Sequence, residues 1–397
     1  MSFPTLRLSS KIALAFVSTF ALSLPAAQAF EPLPLTRLVC QEARQAEALI
    51  ELDDRLLTEA IASEEREALL AAIDNSLAYL ETPGSVTAYE NYPVSGVTHD
   101  RVQRSLLRFR ELLLSSNSPE ELQAAIADDF TFYQSIGQDE AGTVAFTGYF
   151  EPTYAASLVQ TGEYQYPLYQ SPPDLDDWPE PHPTRLELEG ADGLQADEGP
   201  LQKLEIVWLQ DRLEAFLTQV QGSARLQLTD GNTLSVGYDG RTNYPYTSIG
   251  RALIDDGIIP EDELSLPVLM EYFEQNPDAL DRYLPLNDRF VFFRKTEGAP
   301  ATGSLGFPVT AGRSIATDKT VMPPGALALI NLELPQIDED GEIETKSTSR
   351  FVLDQDTGGA IKGAGRVDIF IGTGTEAGKV AGLINDTGTL YYLLLKE

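Results

Sequence analysis

The pattern of hydrophobic and polar positions separates a helical N-terminal part from a β-rich remainder. Apolar side chains recur at spacings of three and four between residues 36 and 80, at Leu49, Leu52, Leu56, Leu57, Ala60 and Ile61. This period is typical of an amphipathic helix. Another helix is predicted to begin at residues 118–121, because serine is a favoured N-cap, proline a favoured first residue, and Glu121 completes a capping box. Residues 30–130 are therefore predicted to be a helical segment.

From residue 143 onward, short β-type runs alternate with turns. Strands are predicted at residues 144–150, 164–169 and 289–294. Asp230-Gly231 lies between two further apolar runs and predicts a β-hairpin. Helices are predicted among these runs at residues 208–220, 248–256 and 266–276. The chain after residue 309 is predicted to be all β.

A strand-like run near the C-terminus carries the most informative polar side chain. Successive side chains of a strand alternate between faces. Asp368 and Phe370 are therefore predicted to share one face, and the other face to hold Val367, Ile369 and Ile371. An aspartate beside an aromatic ring, with Gly372 just downstream, suits the floor of a groove that binds a large ligand. Apolar surroundings favour the protonated form of a carboxyl group, which is the form that acts as a general acid.

Composition narrows the chemistry. The chain of 397 residues contains one cysteine, Cys40, and two histidines, His99 and His182. These are too few for a zinc site of the Cys/His type, and no serine lies in a nucleophile-elbow motif. The formal charge of −33 makes a surface that repels nucleic acid and anionic lipid. The sequence therefore predicts no metal, no organic cofactor and no nucleic-acid partner, and carboxylates are the plentiful reagents.

Residues 1–29 have the pattern of a secretory signal peptide. Arg7 and Lys11 precede an apolar run over residues 12–24, and Ala27-Gln28-Ala29 is a small-x-small cleavage site. The run is too short to span a bilayer and no later stretch is long enough, so no transmembrane helix is predicted in the mature chain. Cys40 lies well beyond the cleavage site without small residues before it, so lipidation is not expected.

A set of short motifs follows in order along residues 147–397. They are Thr147-Gly148-Tyr149-Phe150-Glu151-Pro152, Tyr166-Pro167-Leu168-Tyr169, Val220-Gln221-Gly222-Ser223, Tyr246-Thr247-Ser248-Ile249-Gly250, Asn276-Pro277 and Phe290-Val291-Phe292-Phe293. The C-terminal part adds Gly312-Arg313-Ser314-Ile315-Ala316 with Asp318, then Met322-Pro323-Pro324-Gly325, Asp356 and Asp368. Together these motifs resemble the membrane-bound lytic murein transglycosylase A family with its three-aspartate (3D) domain. The helical segment lies outside the resemblance.

The resemblance implies a mainly β fold with α segments. A large double-psi β-barrel domain is expected from residues 131–151 and 297–397. A smaller β-rich domain, inserted at residues 152–296, is expected to form the substrate groove with it. The helical segment at 30–130 and the signal peptide at 1–29 complete the expected organisation.

The implied reaction is non-hydrolytic cleavage of the β-1,4 bond between N-acetylmuramic acid and N-acetylglucosamine in peptidoglycan, which leaves a 1,6-anhydromuramyl end. The family's single catalytic acid corresponds to Asp368, in agreement with the strand pattern. Asp356 is a supporting candidate that would favour the protonated acid by like charge or would cap a glycine turn. Asp318 is a second supporting candidate, expected to be mainly architectural, and Asp354 is expected to be exposed to solvent.

Substrate contacts are expected at Tyr149, Phe150, Glu151, Gln221, Gly222, Ser223, Lys362, Phe370 and Gly372. Aromatic rings beside polar groups suit sugars, although aromatics at a strand end are core residues about as often. Residues 221–223 could equally be a helix C-terminus with a glycine cap. Arg185, Arg241 and Lys362 could bind substrate carboxylates, although an ordinary surface ion pair is the expected role of any one of them.

Peptidoglycan glycan strands are the predicted partner, and cell-wall protein complexes are further candidates. Export and a murein substrate together predict a location in the periplasm or at the inner face of the outer membrane. The alternative function is a non-catalytic peptidoglycan-binding or expansin-like wall-loosening protein, because double-psi barrels of that type also carry a groove aspartate.

Overall fold

The computed structural model describes residues 33–38, 53, 62–196, 199–337 and 343–397. The predicted signal peptide, Cys40 and the apolar positions from Leu49 to Ile61 lie outside these residues. No helix in the described part of the chain is long and apolar enough to cross a membrane.

The described N-terminal part is helical, as predicted, except for a short strand at Leu35–Arg37. Its helices are α1 (Ala62–Leu80), α2 (Pro83–Tyr89), α3 (His99–Ser115) and α4 (Pro119–Asp129). The Ser118 hydroxyl caps α4 by accepting a hydrogen bond from the Glu121 backbone N–H at 3.3 Å. The Glu121 carboxylate accepts from the Asn117 backbone N–H at 2.8 Å, one residue before the cap. The capping box is therefore half formed, and its carboxylate satisfies a neighbouring donor.

Strands make up most of the rest. They are β1 (Leu35–Arg37), β2 (Phe130–Ser135), β3 (Val144–Glu151), β4 (Thr153–Ser157), β5 (Tyr166–Tyr169), β6 (Glu205–Leu209), β7 (Ser223–Leu228), β8 (Thr233–Arg241), β9 (Val291–Lys295), β10 (Ser314–Ala316), β11 (Leu327–Ile337), β12 (Ile343–Asp356), β13 (Arg366–Thr373) and β14 (Asn385–Leu395). The helices between them are α5 (Arg185–Glu189), α6 (Arg212–Gln221), α7 (Ile249–Asp255), α8 (Leu266–Gln275), α9 (Leu280–Tyr283) and α10 (Thr375–Ala381).

Six strands close into a barrel in the order β14-β11-β12-β10-β13-β3, because β14 also pairs with β3. Strands β2 and β1 extend the same sheet from β14. The pairings β10–β12 and β13–β3 are parallel. One hydrophobic core joins barrel residues such as Phe146 and Val367 to helix residues such as Phe109. The predicted mainly β fold with a barrel is confirmed, but the chain after residue 309 is not all β, since it contains helix α10 (Thr375–Ala381).

The chain from Thr153 to Lys295, which we call the insert, forms a second sheet with the order β5-β6-β4-β7-β8-β9. It has apolar clusters of its own, one around Phe293 in the sheet and one around Phe273 in the helices. The predicted hairpin at Asp230-Gly231 is confirmed and joins β7 to β8.

One insert helix begins later than predicted. Trp208 and Leu209 belong to β6 and pair with both β4 and β5. The helix α6 begins after Asp211, whose side chain accepts a hydrogen bond from the Glu214 backbone N–H at 3.0 Å. The apolar run that ends at Leu209 is a strand with neighbours on both sides, and periodicity does not distinguish such a run from a buried helical turn.

The ends of β3 and β13 meet where the insert begins. The Gly374 backbone N–H donates to the Glu151 carbonyl at 2.8 Å. Helix α10 packs here so closely that a Cβ on Gly378 would lie 2.7 Å from the Phe150 ring. The strands that carry the candidate residues are therefore fixed directly beside the insert.

Candidate active site

Four adjacent barrel strands bring two of the predicted aspartates into one row. Asp368 on β13 pairs in register with Thr147 on β3 and with Ala316 on β10. Ala316 also pairs with Asp356 on β12. Neighbouring strands are about 4.8 Å apart, so the backbones of Asp368 and Asp356 are about 10 Å apart with the small Ala316 between them.

Asp368 is partly exposed, with 21 % of its side chain accessible. Its Oδ1 accepts a hydrogen bond from the Thr147 hydroxyl and lies 3.5 Å from Arg366 Nε. Arg366 Nη2 also donates to Thr147 Oγ1 at 3.3 Å. We call these three residues the Asp368 group. On the opposite face Val367 and Ile369 are fully buried, which confirms the predicted alternation along this strand.

Tyr149 fixes Asp356 beside Phe370. The two rings lie 5.2 Å apart, and the Tyr149 hydroxyl donates to Asp356 Oδ2 at 2.8 Å. Asp356 Oδ1 accepts from the backbone N–H groups of Ser304 at 2.7 Å and Thr357 at 2.8 Å. Burial raises the pKa of the Asp356 carboxyl, although these hydrogen bonds oppose the shift. Burial and the charge of Asp356 raise the pKa of Tyr149 well above its ordinary value, so the hydroxyl remains a donor.

Asp318 lies in a turn and is 6 % exposed. It accepts hydrogen bonds from the Thr320 backbone N–H at 3.0 Å, the Thr320 hydroxyl at 2.7 Å and the Gly363 backbone N–H at 2.8 Å. Burial alone would raise the pKa of Asp318, but these hydrogen bonds and the charge of Lys362 lower it below its ordinary value. Asp318 therefore ties the turn after β10 to the loop before β13, which is an architectural arrangement.

The prediction that Asp354 is exposed is wrong, since its residue is 0 % exposed. Asp354 pairs with Lys319 and accepts from the hydroxyls of Thr317 at 2.8 Å and Tyr392 at 2.7 Å. We call these four residues the Asp354 network. Burial raises the pKa of the Asp354 carboxyl against the effect of Lys319. The helical segment covers this part of the barrel, and Tyr89 contributes a 2.7 Å hydrogen bond to the Pro324 carbonyl.

Several residues predicted to contact substrate join the barrel to the insert instead. Glu151 is 1 % exposed, pairs with Arg225 at 2.8 Å and accepts from the Thr373 hydroxyl at 2.8 Å. Gln221 Oε1 accepts from the Phe150 backbone N–H at 3.2 Å. These side chains are occupied by internal contacts, so their geometry favours a structural role.

The remaining predicted contacts differ in accessibility. Gly222 caps α6 with a left-handed φ of 80°, and Ser223 begins β7, which favours the helix-end interpretation of residues 221–223. Phe370 is 4 % exposed and packs with Tyr149. Lys362 is exposed, and Gly372 has a φ of 130° that few side chains adopt. Of these residues, Lys362 is the one with an exposed side chain, and Ser223 is half-buried.

Arg185 does not reach a substrate surface. It is 1 % exposed, pairs with Glu189 at 3.0 Å and donates to Gln219 Oε1 at 2.7 Å. Its guanidinium lies 5.0 Å from the ring centroids of both Phe216 and Phe290. The expected ion pair is present, but it lies inside the insert and not at the surface.

Insert residues also approach the Asp368 group. Burial raises the pKa of Tyr246, while the charges of Arg366 and Arg289 lower it. The guanidinium of Arg289 crosses to the barrel, where a Cβ on Gly359 would lie 1.6 Å from Nη1. We call the region where Arg289 lies against Gly359, with Tyr246 and Arg366 nearby, the junction.

No role was predicted from the sequence for Thr147, Arg366, Tyr246 or Arg289. Arg366 lies two residues before Asp368, so the strand period could have placed it on the same face. The other three depend on strand pairing and on contacts between the insert and the barrel. Across the described residues, no three side chains of histidine, cysteine, aspartate or glutamate are placed to share a metal ion.

Two family profiles match the chain. The MltA specific insert domain matches residues 145–294, and the 3D domain matches residues 313–394. The membrane-bound lytic murein transglycosylase A of Escherichia coli (strain K12) is 34 % identical over 263 residues, which are 66 % of this chain and 68 % of that protein.

Solved structures are similar in fold. The membrane-bound lytic murein transglycosylase of Agrobacterium tumefaciens is 26 % identical with a TM-score of 0.65, covering 81 % of this chain and 92 % of that one. Escherichia coli MltA with bound chitohexaose is 27 % identical with a TM-score of 0.63, covering 81 % and 90 %. The chain therefore belongs to an enzyme family, the membrane-bound lytic murein transglycosylase A family, and carries its 3D domain.

Proposed function

We propose that the protein cleaves the β-1,4 bond between N-acetylmuramic acid and N-acetylglucosamine without water, with Asp368 as acid and then base. The observation that carries this proposal is the setting of Asp368. It is partly exposed beside the insert, and its carboxylate contacts a hydroxyl and a guanidinium. Asp318 and Asp356 have their oxygens engaged by turn and strand donors.

The reaction needs one carboxyl group. Protonated Asp368 donates to the glycosidic oxygen as the bond from C1 of the muramyl residue breaks. The substrate's own acetamido group or 6-hydroxyl supplies the nucleophile, and the 6-hydroxyl oxygen finally bonds to C1. The Asp368 carboxylate takes the 6-hydroxyl proton, so the acid is regenerated and no water is consumed. The tethered nucleophile reacts with a high effective molarity.

The Asp368 group can support both proton donation to the glycosidic oxygen and proton removal from the 6-hydroxyl. A glycan that covers the carboxyl excludes bulk water from the proton transfer. Once the proton has left, the hydrogen bond from Thr147 and the positive charge of Arg366 stabilise the carboxylate. The same contacts hold the carboxylate in position to receive the second proton.

Asp356 is poorly suited to be the second carboxylate of a hydrolase. An inverting glycosidase keeps a water between carboxyl groups about 6.5–9.5 Å apart, and a retaining one uses a nucleophile about 5–5.5 Å from the acid. Asp356 already accepts hydrogen bonds from Tyr149, Ser304 and Thr357. A role in fixing Tyr149 beside Asp368 therefore fits better than activation of water.

Peptidoglycan lies outside the inner membrane in bacteria, so the proposed activity requires export of the chain. This requirement agrees with the predicted signal peptide and supports a periplasmic site of action. Binding to cell-wall protein complexes stays a prediction.

The test is the chemistry of the products. Purified protein is incubated with peptidoglycan, and the soluble products are analysed by mass spectrometry. Muropeptides with 1,6-anhydromuramyl ends are expected from the wild type. Products with reducing ends would indicate a hydrolase, and binding without soluble products would indicate the non-catalytic glycan-binding alternative.

A further inference from the structure

Two arginines of the insert have no carboxylate partner among the described residues. Six others lie 3.5 Å or less from a carboxylate oxygen: Arg185, Arg212, Arg225, Arg251, Arg282 and Arg294. Arg241 and Arg289 form no such pair, although the chain contains 61 acidic and 28 basic residues. In so acidic a chain, two neighbouring unpaired guanidinium groups indicate a site for an external anion.

Arg289 is held in place but keeps available donors. Its Nε donates to the Tyr244 carbonyl at 2.8 Å. Within the described part of the chain, its two Nη atoms donate no hydrogen bond. The guanidinium lies against Gly359, in the loop that follows Asp356, where any larger residue would displace it. The free Nη atoms are therefore located at the junction.

Arg289 lies near a second cation of the insert. Burial lowers the pKa of Arg289, and the charge of Arg241 lowers it further. Tyr246 lies near Arg289, Arg185 and Arg366, because the charges of all three lower its pKa against the effect of burial. Repulsion between the half-buried Arg289 and the neighbouring exposed Arg241 is relieved when an anion binds to both.

We propose that Arg289 and Arg241 form a carboxylate-binding subsite on the insert side of the junction, which binds a carboxylate of the muramyl side chain. The inference rests on the proposed function, because it assigns these arginines to the same substrate. A planar guanidinium donates two parallel hydrogen bonds to a carboxylate. N-acetylglucosamine has no carboxylate. A muramyl residue carries one on its lactyl group or, when substituted, on its stem peptide.

The subsite determines which sugar is placed at Asp368. Glucosamine and muramyl residues alternate along the glycan, so a subsite specific for one of them selects every second position. The only bond whose cleavage yields a 1,6-anhydromuramyl end is the one on the C1 side of the muramyl residue. Recognition of the muramyl carboxylate would therefore set the glycan in the productive register.

A purely structural role for Arg289 makes a different prediction. If the side chain only supports the loop at Gly359, its loss weakens the fold and the binding of every glycan alike. Arg241 distinguishes the two roles because it is exposed and donates to the neighbouring Thr242 carbonyl at 3.3 Å. Its replacement is therefore expected to leave the fold intact.

Binding is measured by calorimetry on the full chain carrying Asp368→Asn, so that the ligand is not consumed. The ligands are chitohexaose, peptide-free murein fragments with lactyl carboxylates, and peptide-bearing murein fragments. Arg289→Gln and Arg241→Gln are each expected to weaken binding of a carboxylate-bearing fragment about tenfold, and that of chitohexaose less than about twofold. Arg104→Gln, which removes an exposed ion-paired arginine of α3, is the matched control and is expected to change neither.

The two charged ligands identify the source of the carboxylate. A selective loss with peptide-free fragments assigns the subsite to the lactyl group, and a selective loss with peptide-bearing fragments assigns it to the stem peptide. Equal weakening of all three ligands, unchanged binding of the charged ones, or no binding of charged fragments overturns the proposal. Failure of the proposed function is recognised separately, because wild-type protein would then release no anhydromuropeptides whatever its preference among ligands.

Discussion

The same barrel holds two aspartates in opposite settings. Asp368 is partly exposed beside the insert, with Thr147 and Arg366 as its partners. Asp354 is fully buried, with Lys319, Thr317 and Tyr392 around it. Both lie on barrel strands and both contact a cation and a hydroxyl, so local composition does not distinguish them.

The difference comes from what packs over each strand. The helical segment covers the Asp354 network, with Tyr89 and Tyr92 donating to the carbonyls of Pro324 and Val321 at 2.7 Å. The Asp368 group faces the junction, where the insert leaves part of the carboxylate accessible. A carboxylate sealed inside the fold contributes to stability, whereas one that a glycan can reach is available for chemistry.

Replacing Asp368 by asparagine tests the comparison most strongly. The rate of muropeptide release is expected to fall about 10²- to 10⁴-fold, because that is the usual contribution of a general acid or base. The unfolding free energy is expected to change by less than about 0.5 kcal/mol, since the side chain is partly exposed. Activity assays and urea unfolding measure the two effects. Retention of a tenth of the activity would contradict the assigned role.

Replacing Asp354 by asparagine is expected to lower stability strongly and to leave activity nearly unchanged. The change leaves the Lys319 ammonium without its buried counter-charge, and breaking such a pair costs about 3 kcal/mol of unfolding free energy. Activity per folded molecule is expected to stay within about twofold of wild type. The double variant with Lys319→Met is the control and should recover part of the loss in urea unfolding. A stable Asp354→Asn protein without activity would show that Asp354 takes part in the reaction.

Two tyrosines that donate to barrel aspartates are expected to give smaller effects, one on the reaction rate and the other on stability. Tyr149→Phe keeps the ring against Phe370 but removes the donor to Asp356, and it is expected to lower the rate about five- to tenfold. Tyr392→Phe removes the equivalent donor to Asp354 and is expected to cost about 1–2 kcal/mol of stability without lowering the rate. Equal rate losses in the two variants would mean that the distinction between the sites is wrong.

The smallest effect is expected from Asp318→Asn, which should alter how the unfolding free energy depends on pH. Its pKa is lowered in the folded state, so the ionised group stabilises the fold above the ordinary value of 3.8, and this contribution is lost as pH falls through the lowered pKa. The Asp318→Asn variant lacks this contribution. Its unfolding free energy is expected to fall less than that of wild type on acidification below pH 3.8. Parallel acid-unfolding curves would contradict the assignment.

Sequence patterns predicted the elements better than their contacts. The alternation along β13 placed Asp368 on the face opposite Val367 and Ile369, and the hairpin at Asp230-Gly231 followed from two residues. Burial of Asp354 was missed because it depends on helices that are distant in sequence. Thr147 and Arg289 were also missed because their contacts are distant in sequence. Thr147 reaches Asp368 by strand pairing, and Arg289 of the insert reaches Gly359 of the barrel.

The central claim is that Asp368 transfers protons within the substrate and activates no water. It is tested most directly by digestion of peptidoglycan in water enriched in oxygen-18, with mass spectrometry of the released muropeptides. Wild-type protein is expected to release 1,6-anhydromuramyl products without oxygen-18, and Asp368→Asn to release none above background. Reducing-end products that contain oxygen-18 would contradict it.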